Sequence, residues 1–339
     1  MSGRDAEIGR FLDRDGWAGA ARAPLAGDAS FRRYERIRLG GKTAVLMDAP
    51  PDKEDVRPFV AIARYLLDAG FSAPALLGED PVNGLLLLED LGDGRFTRLL
   101  EAGAVDERVL YEAAVDLLIA LHKEPPPALP AYDWPLLWRE AGLFTEYYLP
   151  YVLGGDQAAR HEEAEALWRR HLVPVTEDLN CLVLRDYHAD NLMWLPDRAG
   201  LAKVGLLDFQ DAVIGQAAYD LVSLLQDARR DVPPALEADM IARYGAAQDA
   251  AFDREEFRRS YDLLGAQRNT KIIGIFSRLA LRDGKPGYLA MIPRVWRHLE
   301  RDLAHPALGG LRAWYGRHVP AARPAPGMPA ARTGERQRR

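Results

Sequence analysis

Asp186 and Asn191 lie five positions apart in the polar segment Leu184-Arg185-Asp186-Tyr187-His188-Ala189-Asp190-Asn191, and Asp208 closes the apolar run at 204–207. Phosphoryl transfer needs a carboxylate that orients an attacking hydroxyl and accepts its proton, oxygen ligands for a divalent cation, and a cradle for nucleotide phosphates. Asp186 can supply the first of these, and the Asn191 amide oxygen and the Asp208 carboxylate can supply the second. For the three to converge, the segments that carry them must be held side by side.

Short apolar runs at 181–184, 192–195 and 204–207 do this if they are strands, because a hairpin brings the end of the run before Asp208 next to the start of the run after Asn191. Ahead of them the chain reads as strands around one helix. Residues 31–39 look extended, and 43–47 form a return strand after Gly40-Gly41. Phe59, Ile62, Ala63, Leu66 and Leu67 fall at helical spacing, with Gly70 as the stop. The run 85–88 then predicts a buried strand that emerges at Glu89-Asp90-Leu91-Gly92. Beyond Gly94 the pattern is helical, with helices expected at 109–122, 138–148, 158–171, 219–229, 254–276 and 294–304. Pro125-Pro126-Pro127 stops the first of these. The expected fold class is therefore α+β, with a small β-rich first lobe over residues 1–91 and a larger, mainly helical second lobe over 92–319.

At 339 residues the chain is long enough for two medium domains and a cleft between them. Its 48% hydrophobic and 28% charged residues are those of a globular protein, and a formal net charge of -6 offers no basic footprint for nucleic acid. The single cysteine, Cys181, excludes an intrachain disulfide and reads as a small buried hydrophobe. No stretch approaches the roughly 18 apolar residues of a membrane span, so a cytoplasmic location is the expectation. Residues 320–339 are rich in proline and arginine, with Met328 as their one large apolar side chain, and are expected to be disordered.

Asp186-x-His188-x-x-Asn191 followed by Asp208-Phe209-Gln210 resembles the catalytic loop and metal motif of the aminoglycoside phosphotransferases, choline kinases and their relatives. The resemblance implies a bilobal protein-kinase-like fold, ATP and Mg2+, Asp186 as catalytic base, and Asn191 and Asp208 as metal ligands. It further implies a phosphate-binding turn at Gly27, Asp28 and Ser30, a hinge at Glu89 to Leu91 whose backbone meets adenine, and Asp220 as a brace for the catalytic loop. Two departures stand out. Leu184 occupies the place of a family histidine, and Met47 that of the strand lysine that pairs with nucleotide phosphates. A cation is still expected there; Arg32 and Arg33 are favoured over Lys53, and since neighbours on a strand face opposite ways, only one of the two arginines can serve.

Residues 25–34, 45–51 and 267–271 narrow the resemblance to bacterial anomeric kinases of N-acetylmuramate and N-acetylglucosamine, which act in cell-wall recycling and make sugar 1-phosphates. The expected partner is thus a small sugar, with neither nucleic acid nor membrane. Arg268, Lys271 and Arg278 form a basic stripe at the edge of a helical apolar face, which can line the cleft and suit a carboxylated acceptor or can simply snorkel from a buried face. Tyr148 is a candidate substrate contact, although its aromatic segment, 134–151, fits a core better than a sugar-stacking wall. His188 either touches substrate or bonds the loop backbone. Two other functions stay open: a kinase of another small alcohol such as choline or homoserine, and a nucleotide-binding pseudokinase.

Overall fold

The computed structural model describes residues 3–25, 31–177 and 179–319. The expected phosphate turn at Gly27, Asp28 and Ser30 and the tail 320–339 lie outside the described residues. The chain divides into two compact units, one of Met1–Leu129 with Leu184–Ala212, the other of Pro130–Val183 with Val213–Arg339. The boundary expected after Leu91 falls inside the first unit.

In the first unit, α1 (Gly3–Arg14) precedes β1 (Ala21–Pro24), β2 (Arg33–Leu39) and β3 (Lys42–Asp48). Next come α2 (Arg57–Asp68), β4 (Leu76–Asp80), β5 (Leu85–Glu89), α3 (Phe96–Glu101) and α4 (Glu107–Leu121). The five strands form an antiparallel sheet in the order β1-β2-β3-β5-β4. Strand alternation sorts its side chains onto two faces. Ile37, Ala44, Leu46, Leu85 and Leu87 pack against Ile8, Phe11 and Leu12 of α1, a helix absent from the sequence reading because its apolar stripe is only three residues wide. Met47, paired with Tyr34 and Leu86, lies on the other face.

The remaining strands are short. β6 (Cys181–Val183) pairs with β9 (Val213–Gly215) in the second unit, and β7 (Leu192–Trp194) pairs with β8 (Val204–Leu206) in the first. The β7–β8 hairpin is seated on the sheet-bearing part of its unit: Trp194 N donates to Gly94 O at 2.7 Å and Leu206 N to Ser72 O at 2.8 Å. The approach at Gly94 is so close that a Cβ there would sit 2.6 Å from Trp194 O, so only glycine fits.

The second unit holds α5 (Trp134–Ala141), α6 (Leu149–Leu153), α7 (Ala158–Val175), α8 (Ala218–Leu225), α9 (Pro234–Ala246), α10 (Arg254–Leu281), α11 (Ile292–Asp302) and α12 (Gly309–His318). A π-helical turn, Phe144–Tyr148, joins α5 to α6. At the centre runs α10, in which every residue from Ser260 to Leu279 is buried except Ile275 and Arg278. Gly274 lets it touch the π-turn backbone, since a Cβ would lie 2.5 Å from Leu143 C and Phe144 N. A helix buried all round has no polar face, so the basic stripe expected at the edge of an apolar face is instead enclosed, with Arg268 and Lys271 only 4% and 8% exposed. The single cysteine is buried in β6, its Sγ 3.3 Å from Gly215 O. No helix among the described residues is long and apolar enough to cross a membrane.

Candidate active site

Asp186, Asn191 and Asp208 come together in the first unit through backbone bonds that the residue spacing makes possible. After Leu184 the chain turns tightly: Asp186 N donates to Leu184 O at 2.8 Å, His188 N to Asp186 O at 3.1 Å, and Asn191 N to His188 O at 2.9 Å. A single 3-10 turn, Ala189–Asn191, delivers Asn191 to the start of β7. Its side-chain Nδ2 then donates to Asp186 O at 3.0 Å, fixing the loop that carries Asp186. Leu207 N donates to Asn191 O at 3.0 Å, so the residue before Asp208 is bonded to the residue that ends the loop. The side chains of Asp186, Asn191 and Asp208 are all partly open to solvent.

Two residues in this loop system adopt backbone conformations that side chains other than glycine rarely take. Arg185 has φ 69° and Asp208 has φ 57°, the two positive-φ non-glycine residues among those described. Such conformations cost about 1–3 kcal/mol each and persist where the surroundings over-determine them. Here the surroundings are visible. Arg185 Nη1 donates to Asp211 O at 3.1 Å, and Tyr187, 1% exposed, donates its hydroxyl to Ala114 O on α4 at 2.8 Å. Phe209 is fully buried and stacks on Phe59 of α2, with ring centroids 4.7 Å apart. Loop support thus comes from Tyr187 and Arg185, while Leu184, in the place of the family histidine, is buried as an apolar anchor. Neither support carries a spacing signal, and sequence reasoning missed both.

Strand alternation separates the two arginines. Arg33 opens β2 on the α1 side, is 71% exposed at its side chain and lies 3.6 Å from Asp48, which Arg4 also binds. Arg32, one residue earlier, therefore faces the other way, toward the Met47 side, and its Nη2 lies 3.3 Å from Asp208 Oδ1. Burial works against the Arg32 charge, but Tyr34, Asp208, Glu54 and Asp211 outweigh it and hold the guanidinium above its ordinary pKa. Gln210 Nε2 donates to the same Asp208 oxygen at 3.0 Å.

The residues present fit a divalent cation that keeps phosphate and water oxygens in its shell. Asn191 spends its NH2 on Asp186 O and so turns its oxygen end outward, and Asp208 adds a hard carboxylate. No group of three or more His, Cys, Asp or Glu among the described residues can hold a metal by itself. At the expected hinge, Glu89 pairs with Arg198, and Asp90 with Arg36 at 2.8 Å, so the side chains are occupied by structure. A cavity of about 370 Å³ lies beside this segment, lined by Glu89, Leu91, Gly94, Trp194 and Arg198 among others.

The candidates for acceptor contact and bracing behave differently. His188 is 4% exposed in the catalytic loop. Asp220 is fully buried in the first turn of α8. Tyr148 must be corrected: it is fully buried, its ring stacks on Phe144 at 5.0 Å, and its hydroxyl accepts from Trp296 Nε1 at 3.2 Å, so it belongs to the core. Lys271 must be corrected from a cleft-lining cation to a buried ion pair, its Nζ 3.1 Å from Glu140 Oε2 and 3.4 Å from the Tyr219 hydroxyl, while Tyr132 bonds both Glu140 and Tyr219.

An antiparallel sheet backed by a helix, with a loop aspartate, a loop asparagine and a strand-end aspartate bonded into one hairpin, defines a phosphotransferase of protein-kinase-like fold. Residues 22–258 match the Phosphotransferase enzyme family, and the chain belongs to that family. It is 42% identical to an N-acetylmuramate/N-acetylglucosamine kinase of Caulobacter vibrioides, over 94% of this chain and 98% of that protein. To the protein of the same name from Pseudomonas aeruginosa it is 40% identical, over 86% of this chain and 87% of the relative. Among solved structures, the choline kinase LicA from Streptococcus pneumoniae superposes with a TM-score of 0.62 at 11% identity, covering 88% of this chain and 99% of that one. Aminoglycoside-3'-phosphotransferase of type VIII superposes with a TM-score of 0.52 at 18% identity, over 76% and 97%. At such identities the structural likenesses speak to fold alone.

Proposed function

We propose that this protein is an ATP-dependent kinase that phosphorylates the anomeric hydroxyl of N-acetylmuramate and N-acetylglucosamine, yielding the sugar 1-phosphate for reuse of cell-wall sugars in the cytoplasm. What supports the reading is a catalytic loop that bonds Asp186 to Asn191, and Asn191 to the strand end bearing Asp208, in a chain similar over 94% of its length to a kinase of these two sugars.

In this reading Asp186 orients the sugar C1 hydroxyl and takes its proton as the oxygen attacks the γ-phosphorus in line. The new O–P bond forms as the bond from the γ-phosphorus to the bridging oxygen of ADP breaks, and ADP departs with that electron pair. Asn191 and Asp208 hold Mg2+, which when bound neutralises the phosphate charge that would otherwise repel the nucleophile. Arg32, turned toward Asp208 by strand alternation, supplies the cation that Met47 cannot. Backbone groups of Glu89 and Leu91 meet the adenine edge, and the turn at Gly27, Asp28 and Ser30 cradles phosphates.

The test is acceptor-dependent ADP release by the purified protein with ATP and Mg2+, across N-acetylmuramate, N-acetylglucosamine, choline, homoserine and an aminoglycoside. Turnover with the two N-acetyl sugars is expected. Turnover confined to choline, homoserine or the aminoglycoside, or none with any acceptor, overturns the reading.

A further inference from the structure

Arg36 on β2 lies on the sheet face that also bears Met47. It stands opposite Val45 on β3, and Val45 stands opposite Leu88 on β5, so the three form one row across that face. Arg32, four residues earlier and about 13 Å away along an extended strand, points the same way, toward Asp208. At the other end of the row Arg36 meets the chain segment that follows β5.

That segment, residues 89–94, is not fixed by burial. Each of its residues is half-buried or exposed, and it borders the cavity of about 370 Å³. Polar bonds fix it instead. At its start Arg198, from the β7–β8 turn, binds the Glu89 carboxylate and donates to Ser72 Oγ at 2.7 Å, and Glu89 N donates to Ala75 O at 2.8 Å. Beyond Glu89 the anchor is Arg36. Its Nη2 donates to Asp90 Oδ1 at 2.9 Å and to Gly92 O at 3.1 Å, and its Nη1 donates to both oxygens of Asp93 at 3.1 Å. Gly92 N donates to the same Asp90 oxygen at 3.0 Å, and Gly92 takes φ 83°, a left-handed conformation that curls the segment around the guanidinium. Because β3 separates β2 from β5, Arg36 ties the segment to a strand that is not its neighbour. Three acceptors around one planar guanidinium use its forked geometry, which a point charge lacks. The Arg36 and Asp90 side chains are only 13% and 7% exposed, so the pair escapes much of the screening that weakens surface ion pairs. Burial works against the Arg36 charge, but Asp90 and Asp93 outweigh it and hold the guanidinium above its ordinary pKa.

We infer that Arg36 is a positioning residue for the base end of the nucleotide: it fixes residues 90–93, and with them the backbone of the hinge that meets adenine. This rests on the nucleotide part of the reading above. Arg36 touches no reacting atom and acts through the segment it holds. Arg32 serves the phosphate end, so two arginines on one sheet face divide the two ends of one ligand between them.

Calorimetric titration with ADP and, separately, with inorganic tripolyphosphate reads those ends apart, in the wild type, Arg36→Gln, Arg36→Lys and Asp93→Asn. Arg36→Gln is expected to weaken ADP binding about tenfold or more, the loss of charge-assisted hydrogen bonds, and to leave tripolyphosphate within about twofold of the wild type. Arg36→Lys keeps the charge without the fork and is expected to recover part of the ADP affinity. Asp93→Asn, at a side chain 65% exposed, is expected to weaken ADP by a smaller factor. In turnover, Arg36→Gln is expected to raise KM for ATP while kcat at saturating ATP holds. Unchanged ADP affinity in Arg36→Gln, or equal losses of ADP and tripolyphosphate, overturns the proposal; if that variant does not fold, unchanged ADP affinity in Asp93→Asn overturns it. Neither titration needs an acceptor. ADP binding that responds to Arg36 in a protein that phosphorylates no sugar upholds the proposal and removes the acceptor reading alone, whereas a wild type that binds no ADP removes both.

Discussion

In the proposed reading Asp186 does the chemistry, and its geometry comes from neighbours that never touch a reacting atom. Asn191 Nδ2 holds the Asp186 carbonyl, Tyr187 ties the loop to α4 at Ala114 O, and Arg185 accepts a left-handed backbone so that Asp186 can point onward. A general base contributes on the order of 10²–10⁴ to rate, and Asp186→Asn keeps the shape of the side chain while removing the proton acceptor. The variant is expected to lose at least about a hundredfold in kcat while nucleotide affinity, followed by equilibrium binding of an ATP analogue, stays near the wild-type value. Undiminished turnover would remove Asp186 from the role. The grouping of Asp186, Asn191 and Asp208 was legible in the sequence because their spacing is local, set by one loop and one hairpin. The sequence could not separate Arg32 from Arg33, since which of them lies near Asp208 depends on which face of β2 meets α1, and α1 itself was not foreseen. Tyr187 and Arg185 were not legible, because a tyrosine that bonds a carbonyl 73 positions away leaves no periodic trace.

Among the elements, the β7–β8 hairpin matters most, since it sets Asp208 beside Asn191. Its seat on the chain at Gly94 leaves no room for a methyl group, with a Cβ placed 2.6 Å from Trp194 O. Gly94→Ala is expected to push the hairpin's Trp194 N off its hydrogen bond to Gly94 O, cost about 1–3 kcal/mol and lower kcat, although no chemical group at the site is altered. Urea unfolding and steady-state kinetics on the same preparation check this; wild-type stability together with wild-type kcat would show that the seat does not position the metal ligands. β2, β3 and β5 and the helices α2, α4 and α7 were expected from their apolar patterns, whereas β1, exposed along its length, and the short β4 were not. By contrast, α10 was read as a one-sided helix with a basic edge, whereas it is enclosed on nearly all sides. In such a helix polar residues mark internal partners, not solvent, and for that reason Lys271 joins Glu140 in the interior.

For the molecule as a whole, stability should carry a signature of its buried imidazole. His298 in the folded protein has its pKa lowered from 6.5 to about 4, first by burial and then by Arg301, Arg268 and Arg297. The unfolded chain takes up this proton below pH 6.5 and the folded chain only near pH 4, so the unfolded state binds more protons in between. Stability is therefore complete above pH 6.5 and is lost as the pH falls through that window, by about 3 kcal/mol from this one group. Denaturant midpoints from pH 7.5 down to 4.5 should fall more steeply for the wild type than for His298→Gln, and identical slopes would contradict the assignment. The central claim is nevertheless chemical: a phosphotransferase family member, with Asp186 held in the loop that leads into the hairpin flanked by Asn191 and Asp208, acts on the anomeric oxygen of an N-acetyl sugar. The most direct measurement is 31P NMR of the product formed from ATP, Mg2+ and N-acetylmuramate or N-acetylglucosamine, with the phosphorus coupled to the anomeric proton. The account predicts a sugar 1-phosphate, showing coupling to H1 and appearing in step with ADP; a phosphate coupled to the C6 protons, or ADP formed with no phosphorylated sugar, would contradict it.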